Sequence, residues 1–501
     1  MGIKKYKADK DNTVTNAFGI DLSTRATGSN MGASDILEVF SIYGQQTTSS
    51  AELSRVLVEF PVDTITSDRT AGTIPASGSV SFYLRMFNAR HSEQLPKNFT
   101  LNVMAVSQSW QEGQGLDMET YSDETKDNIE GSNWVNRLKT TAWGKKGGDY
   151  HSSSYAAGTT MPNYTTTFSE GHEDLELDIT SMVEEWVAGT QSNYGLGVFL
   201  TASQEAYVSN SSGLDSGSVL HNTEGQSTSY YTKRFFSRSS EFFFKTPAIE
   251  ARWDSRVTDD RGNFYSSSSI APAADNLNNL YLYNYIRGRL VDIPHTETLK
   301  VSLYASSESL PAEPVLTSAV ASKISTGVYR GQVSIDTTSS ILHDVWSGSI
   351  GGEYKTGSIS VNSFNSTSVL LSDDYTQFVT KITNLKPKYG KTEQARFRVF
   401  TRPRNFSPTI YTVASTVIEG TVIPSASYEI IRMVDEKTVI NNSTGSSTYH
   451  TYLSYDNSGS YFDLDMSLLE SGYMYGIKFA YHSSQQWREQ EEISIFRVED
   501  N

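Results

Sequence analysis

Two acidic stretches, a scatter of histidines and a few tryptophans are the places where this chain could do chemistry. "EGQGLDMETYSDETKDNIE" (112–130) holds Glu112, Asp117 and Glu119. Such acids could form a carboxylate pair for glycoside hydrolysis or collect a calcium ion through oxygen ligands. The commoner reading of an acidic run in a polar loop is a solvated surface. "YDNSGSYFD" (455–463) puts Asp456, Asn457 and Asp463 close together. Its spacing is not that of an EF-hand, and an Asn-Ser-Gly hairpin turn explains it more simply.

The histidines at 91, 151, 172, 221, 295, 343, 450 and 482 form no H-x-H, no HExxH and no pair at helical spacing. Cysteine is absent, which removes thiol nucleophiles, disulfides and cysteine zinc sites. GxSxG, Walker A and GxGxxG are absent too. The expectation is a protein that is not an enzyme and has neither cofactor nor metal. Trp134, Trp143 and Tyr150 border a long insertion at 111–170, where aromatic faces could contact a glycan or a protein partner. Trp110, at a strand end, reads as core.

Charge narrows the partners. Asp+Glu 57 against Lys+Arg 41 gives −16, which repels phosphate backbones and anionic lipid. No stretch reaches the roughly 20 apolar residues of a membrane span, so neither nucleic acid nor membrane insertion is expected. Local positive charge sits at the start, where Lys4, Lys5, Lys7 and Lys10 surround Tyr6. These residues read either as a frayed tail or as a docking arm, residues 1–20, that orders against an acidic neighbour.

The elements that must carry these residues are strands. Ser, Thr, Asn and Gly are abundant, and Tyr 29 with Phe 22 dominate the apolar set, which favours strands joined by polar turns. Val80, Phe82, Leu84 and Met86 alternate with Ser81, Tyr83 and Arg85; "LNVMAVS", "LELDI" and "GLGVFL" show the same period. One helix interrupts them. Ile179, Met182, Val183, Trp186 and Val187 lie at i, i+3, i+4, i+7 and i+8, Ser181 and Glu184 read as a capping box, and Gly189 stands where the helix should stop. A helix so short persists only on a packed face, so Trp186, Met182 and Val183 are expected to form a structural lid over an open end of a sandwich. Ligand stacking is the other role open to Trp186.

The fold expected is all-β and multi-domain: an N-terminal jelly roll with one short helix, followed by two smaller Ig-like sandwiches. The boundaries are a jelly roll at 21–254, a connector at 255–279, a second β-sandwich at 280–418 and a C-terminal Ig-like sandwich at 419–501, with turns at 457–459 and Gly472.

Two resemblances extend this reading. "LSRVLVEFPV" (53–62), "GSVSFYLRMF" (78–87), "VSQSWQEGQG" (106–115), "NW" (133–134), "LDITSMVEEWVAGTQSNYGLGVFL" (177–200) and "FFSRSSEFFFKTPAIEARW" (235–253) occur in this order. Residues 50–254 thereby resemble the DNRLRE-type jelly-roll domain, which is related to the family-96 carbohydrate-binding modules. "NMGASDILEVFSIYGQ", "SWQEGQGLDM", "SSSIAPAADNLNNLYLYNYIRG" and the "YEII…YLSYDNSGSYFDLD…YGIKF" ending are similar to virion structural proteins of large contractile-tailed phages of marine bacteria. That likeness implies a neck, tail or outer-head component, made in the host cytoplasm and carried on the virion in many copies beside other virion structural proteins. It transfers no catalytic residue. The alternative is a host-surface polysaccharide-binding module.

Overall fold

Alternation in the first 254 residues resolves into two antiparallel sheets. The computed structural model describes residues 2–19, 21–43, 51–91, 95–116, 131–151, 161–269, 272–274, 276–294, 298–305, 314–348, 352–362, 378–404, 406, 420–444, 449–483 and 486–500. Asp117 and Glu119 lie outside these residues. The chain divides into a unit of residues 2–254 with 468–470 and a unit built from 255–467 and 471–501.

The strands of the N-terminal unit are β1 (Ile3–Lys7), β2 (Lys10–Thr15), β3 (Ile36–Tyr43), β4 (Glu52–Glu59), β5 (Ser81–Met86), β6 (Phe99–Ala105) and β7 (Asn136–Leu138). They continue with β8 (Thr141–Ala142), β9 (Tyr164–Phe168), β10 (Leu175–Asp178), β11 (Leu196–Leu200), β12 (Ser229–Phe236) and β13 (Ala248–Arg252). One sheet runs β1-β13-β5-β10; the other runs β12-β3-β4-β11-β6-β9, with β2 also on β4. The chain crosses between the sheets at β4 to β5 to β6 and at β9 to β10 to β11, as in a jelly roll. Val56, Val58, Phe82, Leu84, Leu101, Val103, Leu196 and Ile249 fill the space between the sheets.

The lysine-rich start is not an arm. Lys4, Lys5, Tyr6 and Lys7 lie in β1, paired with β13, and Lys10 opens β2 on β4. Their charges have partners inside this unit. Lys4 meets Asp68 at 2.6 Å, Lys5 meets Glu250 at 3.2 Å, Lys10 meets Glu59 at 3.0 Å, and the Tyr6 hydroxyl donates to Asp68 at 2.8 Å. Lys7 lies over the Phe243 ring. Acidic residues of the same unit thus order the segment within the chain.

Two helices close one end of the sandwich, not one. α1 (Val62–Thr70) has no apolar stripe to disclose it, since it buries only Val62 and Ile65; Thr66, Ser67 and Thr70 return their hydroxyls to carbonyls four residues back. α2 (Thr180–Val187) is the expected lid, with Met182, Val183 and Trp186 buried in the inter-sheet core. Gly189, at φ +72°, follows its end. The capping box does not form. Glu184 instead accepts both prongs of Arg69 of α1 at 2.6 and 2.7 Å, a bidentate pair stronger than one local cap.

In the C-terminal unit the strands are β14 (Phe264–Tyr265), β15 (Asn278–Tyr283), β16 (Tyr285–Ile286), β17 (Arg289–Leu290), β18 (Lys300–Tyr304), β19 (Leu316–Ser325) and β20 (Val328–Val333). Next come β21 (Ile341–Ser347), β22 (Glu353–Asn362), β23 (Phe378–Ile382), β24 (Lys388–Gly390), β25 (Gln394–Pro403) and β26 (Ala426–Arg432). The last are β27 (Lys437–Ile440), β28 (Ser454–Asp456), β29 (Gly459–Asp465), β30 (Met474–Ser483), β31 (Gln486–Glu489) and β32 (Ser494–Glu499). A seven-stranded sheet, β14-β22-β21-β18-β19-β20-β15, encloses a core around Trp346. Its two end strands are bridged by Asn278, whose side chain exchanges hydrogen bonds of 2.9 and 3.0 Å with the Tyr265 backbone. The last sandwich pairs β23-β25-β29-β28 with β24-β32-β30-β26-β27, and β31 lies on β30.

Two expected boundaries therefore move. β23 and β25 belong to the last sandwich rather than to a block ending at 418. Residues 255–279 are not a connector, since β14 pairs in parallel with β22 and β15 begins at Asn278.

Truncating Trp186 to Ala is expected to cost about 3–5 kcal/mol, because the cavity it leaves cannot collapse between two sheets and two helices. Thermal melts should show the N-terminal unit unfolding first. A second test concerns Asp11, fully buried on β2, whose Oδ1 has no hydrogen-bond partner. Burial, reinforced by the neighbouring Glu112 carboxylate, pushes its carboxyl from 3.8 up to about 7 against the pull of Arg238. As pH rises between those values the unfolded chain releases this proton while the folded chain keeps it, so stability falls. Asp11→Asn should raise Tm at about pH 8 and change it less at about pH 5.

Candidate functional site

β4 and β11 are buried on both faces. Val56, Val58, Leu196 and Val198 enter the inter-sheet core, whereas Leu53 and Leu57 join a second core with Trp110, Trp134, Trp143 and Val219. Residues of the 131–151 and 206–220 stretches contribute to this layer. Here the predicted contact residues are brought together, but not as a surface.

Trp134 and Trp143 are buried and Tyr150 is half-buried. Each indole N–H is taken by a carbonyl: Trp134 donates to Ser218 O, Trp143 to Asn133 O and Trp110 to Tyr194 O, all at 2.9 Å. The Tyr150 hydroxyl donates to Gly147 O at 2.8 Å, and its ring packs against Phe199 at 4.7 Å. Gly197 lies beneath that ring, where any Cβ would come within 2.1 Å of it. The expected exposed glycan or partner contact at Trp134, Trp143 and Tyr150 is corrected to a packed interior. An apolar strand face needs a cover, and these aromatics supply it.

At its centre is Arg55, missed as a functional residue although it stands in the quoted "LSRVLVEFPV" strand. Its guanidinium meets the Phe199 ring at 4.7 Å, Trp134 at 5.7 Å and Tyr150 at 5.8 Å, and donates to Glu205 at 3.1 and 3.3 Å. Burial opposes the charge, but Glu205 more than restores it and raises the pKa of Arg55. The pair can position the 205 loop on the sheet; it has no open face for a substrate. Glu112, the described member of the acidic run, likewise accepts from Arg238 and from the Asp11 N–H.

A cavity of about 450 Å³ in the C-terminal unit is large enough to admit a small ligand. Asp259, Asn263, Arg398, Tyr455, Asp456 and Asn457 line it. Asp259 caps the short turn at Asp260–Gly262, accepting from Arg261 N at 3.2 Å, and burial pushes its carboxyl up to about 6. Asp456 accepts from Arg398 at 2.7 Å and from Ser458 N at 2.8 Å. The Tyr455 hydroxyl donates to Asp260 at 2.8 Å. Such walls can hydrogen-bond a polar ligand. Asp463 accepts both prongs of Arg396 at 2.7 and 2.9 Å, and Asp456↔Gly459 closes the expected hairpin turn. Among the described residues no group of three or more His, Asp or Glu could hold a metal ion.

No protein-family model matches this chain, and no curated protein sequence does. Among solved structures it is similar to Drosophila OTK extracellular domains 3–5 at 8% identity and TM-score 0.12, over 47% of this chain and 61% of that one. It is similar to the FN1–FN3 domains of chicken CNTN1 at 9% identity and TM-score 0.14, over 54% of this chain and 82% of that one. A DUF4785 family protein from Legionella pneumophila is similar at 7% identity and TM-score 0.14, over 92% and 90%.

Replacing Glu205 by Leu leaves a buried, unpaired guanidinium and should destabilise the N-terminal unit by about 3–5 kcal/mol. Adding Arg55→Met should recover much of that loss, because two apolar side chains suit the layer. Denaturant titration of both variants measures the coupling.

Proposed function

We propose that this chain is a non-enzymatic structural component of a tailed-phage virion, a neck, tail or outer-head accessory protein held in many copies by protein–protein contacts. It is made in the host cytoplasm and carried on the particle. The observation that supports this most is where Trp134, Trp143 and Tyr150 go: into a second core around Arg55, as scaffold, rather than outward as stacking faces for sugars.

A surface suited to such contacts lies on the outer face of the β24-β32-β30-β26-β27 sheet. Met474, Ile493 and Ile495 are exposed there, grouped around Gly476, which pairs with Ile495 and where a Cβ would come within 2.7 Å of Ile493. Arg497 beside it pairs with Glu499, while Glu491 and Glu492 stand exposed next to Ile493. An apolar patch with an acidic rim suits a neighbouring protein subunit better than a polyanion. A double change, Met474→Glu with Ile495→Glu, should leave the melting curve unchanged and reduce incorporation into particles at least tenfold, read by quantitative mass spectrometry of purified virions. Normal incorporation would remove the patch from the assembly.

The alternative, a host-glycan module, now rests on the Asp259–Arg398 cavity, whose hydrogen-bonding walls suit hydroxyl-rich ligands. A glycan array should show no saturable binding. Saturable binding abolished by Asp259→Asn would favour the glycan reading instead.

A further inference from the structure

We propose that Lys233 and Asn88 condense spontaneously into a side-chain amide that staples the two sheets of the N-terminal sandwich together. Lys233 occupies an inward position of β12, between Tyr231 and Phe235, and is fully buried. Its Nζ lies 4.5 Å from the Phe168 ring centre and 5.3 Å from that of Phe235. All three of its hydrogen-bond acceptors are neutral oxygens: Asn88 Oδ1 at 2.7 Å, the Gly171 carbonyl at 2.9 Å and the Glu173 carbonyl at 2.7 Å.

Asn88 is held for this encounter. It follows β5, bridges to Phe235, and is flanked by bonds from Ala89 N to Arg234 O at 3.0 Å and from Phe236 N to Phe87 O at 3.1 Å. Asp174 accepts its backbone N–H at 2.8 Å. The electrophilic Cγ is one bond beyond the oxygen that Nζ already touches. A carboxylate stands by: Glu173 Oε1 accepts from Glu170 N at 2.7 Å, whereas its buried Oε2 has no partner. Amine and carboxamide therefore meet in an aromatic-walled site, and the turn whose carbonyls hold Nζ also carries the Glu173 carboxylate.

Burial prepares the amine, while Glu173, whose own burial is outweighed by backbone N–H groups of residues 169–173, stays ionised as the base beside the turn. Burial pushes Lys233 down to about 8, although Glu173 and Asp174 oppose the shift, so a neutral amine is accessible at ordinary pH. Fixed contact replaces a bimolecular encounter, the condition under which weak nucleophiles react with amides. The ammonium first gives a proton to Glu173. Nζ then attacks Asn88 Cγ, forming the C–N bond, and the bond from Cγ to Nδ2 breaks. Nδ2 leaves as ammonia, taking up the proton from the new bond's nitrogen, and collects the Glu173 proton as ammonium. No electrons are exchanged and no co-reactant is consumed. The product keeps one N–H to donate to a carbonyl of the 171–173 turn.

The link would join residues 145 apart, one beside the four-stranded sheet and one within the seven-stranded sheet, in a chain with no cysteine to do the same work. Closing so long a loop restricts the unfolded chain as a disulfide does.

Intact-mass measurement of the purified full chain tests this directly. The expected mass is one ammonia below that of the sequence, and a protease digest should contain one branched peptide joining the segments that carry Asn88 and Lys233. Asn88→Ala and Lys233→Arg should each return the full sequence mass, and Glu173→Gln should slow the ammonia loss at least tenfold in freshly purified protein. A chain that keeps its full sequence mass after prolonged incubation at mildly alkaline pH would overturn the proposal and leave Lys233 as a structural ammonium. Loss of ammonia with the two peptides still separate, as from a succinimide at Asn88, would overturn it equally.

Discussion

Covering both faces of β4 and β11 is the constraint on which the N-terminal unit depends. A half-buried sheet needs one core, but strands apolar on both faces need two, because any face left in water forfeits its hydrophobic stabilisation. The first core is the four-stranded sheet packed against the seven-stranded one. The second is built from segments between strands, which is why Trp134 and Trp143 pack beneath the sheet, their indole N–H groups satisfied by carbonyls of Ser218 and Asn133 in those same segments. Arg55 follows from the same demand. It is a charge on a face that must be dry, so Glu205 and three aromatic rings surround it.

Buried charge recurs on the outer face of the four-stranded sheet. Lys5, Arg85 and Arg252 gather around Glu250, with Glu176 closing the set through bonds of 2.6 Å to both arginines. Burial alone would raise the Glu250 pKa, but the three cations outweigh it and hold the carboxyl well below its usual range. The cluster draws one residue from β1, one from β5, one from β10 and two from β13. A net acidic protein thereby uses its N-terminal lysines to complete a sheet, and the same segment that looks like a basic arm in one dimension is an edge strand in three. Charged edges of this kind also discourage further strand pairing.

In the C-terminal unit the analogous problem is closing a sheet. Asn278 does so between β14 and β15 by giving Tyr265 the donor and acceptor that a neighbouring backbone would supply, and Arg261 clamps Asp344 at 2.8 and 3.0 Å inside the same body. These polar contacts join elements too far apart in sequence for local pattern to reveal, and they carry the 255–279 stretch into the fold.

Much was legible from the chain alone wherever a property is local and periodic. Alternation along β5, β6 and β11 disclosed strands and one of their faces, the i, i+3, i+4, i+7 stripe disclosed α2 and its lid, and Asn457 to Gly459 disclosed a hairpin, because side-chain direction follows directly from residue spacing. The absence of cysteine and the acidic balance were equally plain. What only the tertiary structure decided was which polar and aromatic groups would meet. Trp134 and Trp143 are sugar-stacking candidates until β4 turns its second face toward them; Glu184 is a cap until Arg69 arrives from α1; Lys233 is one lysine among many until Asn88 comes within 2.7 Å of it. A short-range pattern encodes the direction of a side chain, whereas its partner depends on how sheets cross and pack over a hundred or more residues, and that information is not stored at any single position.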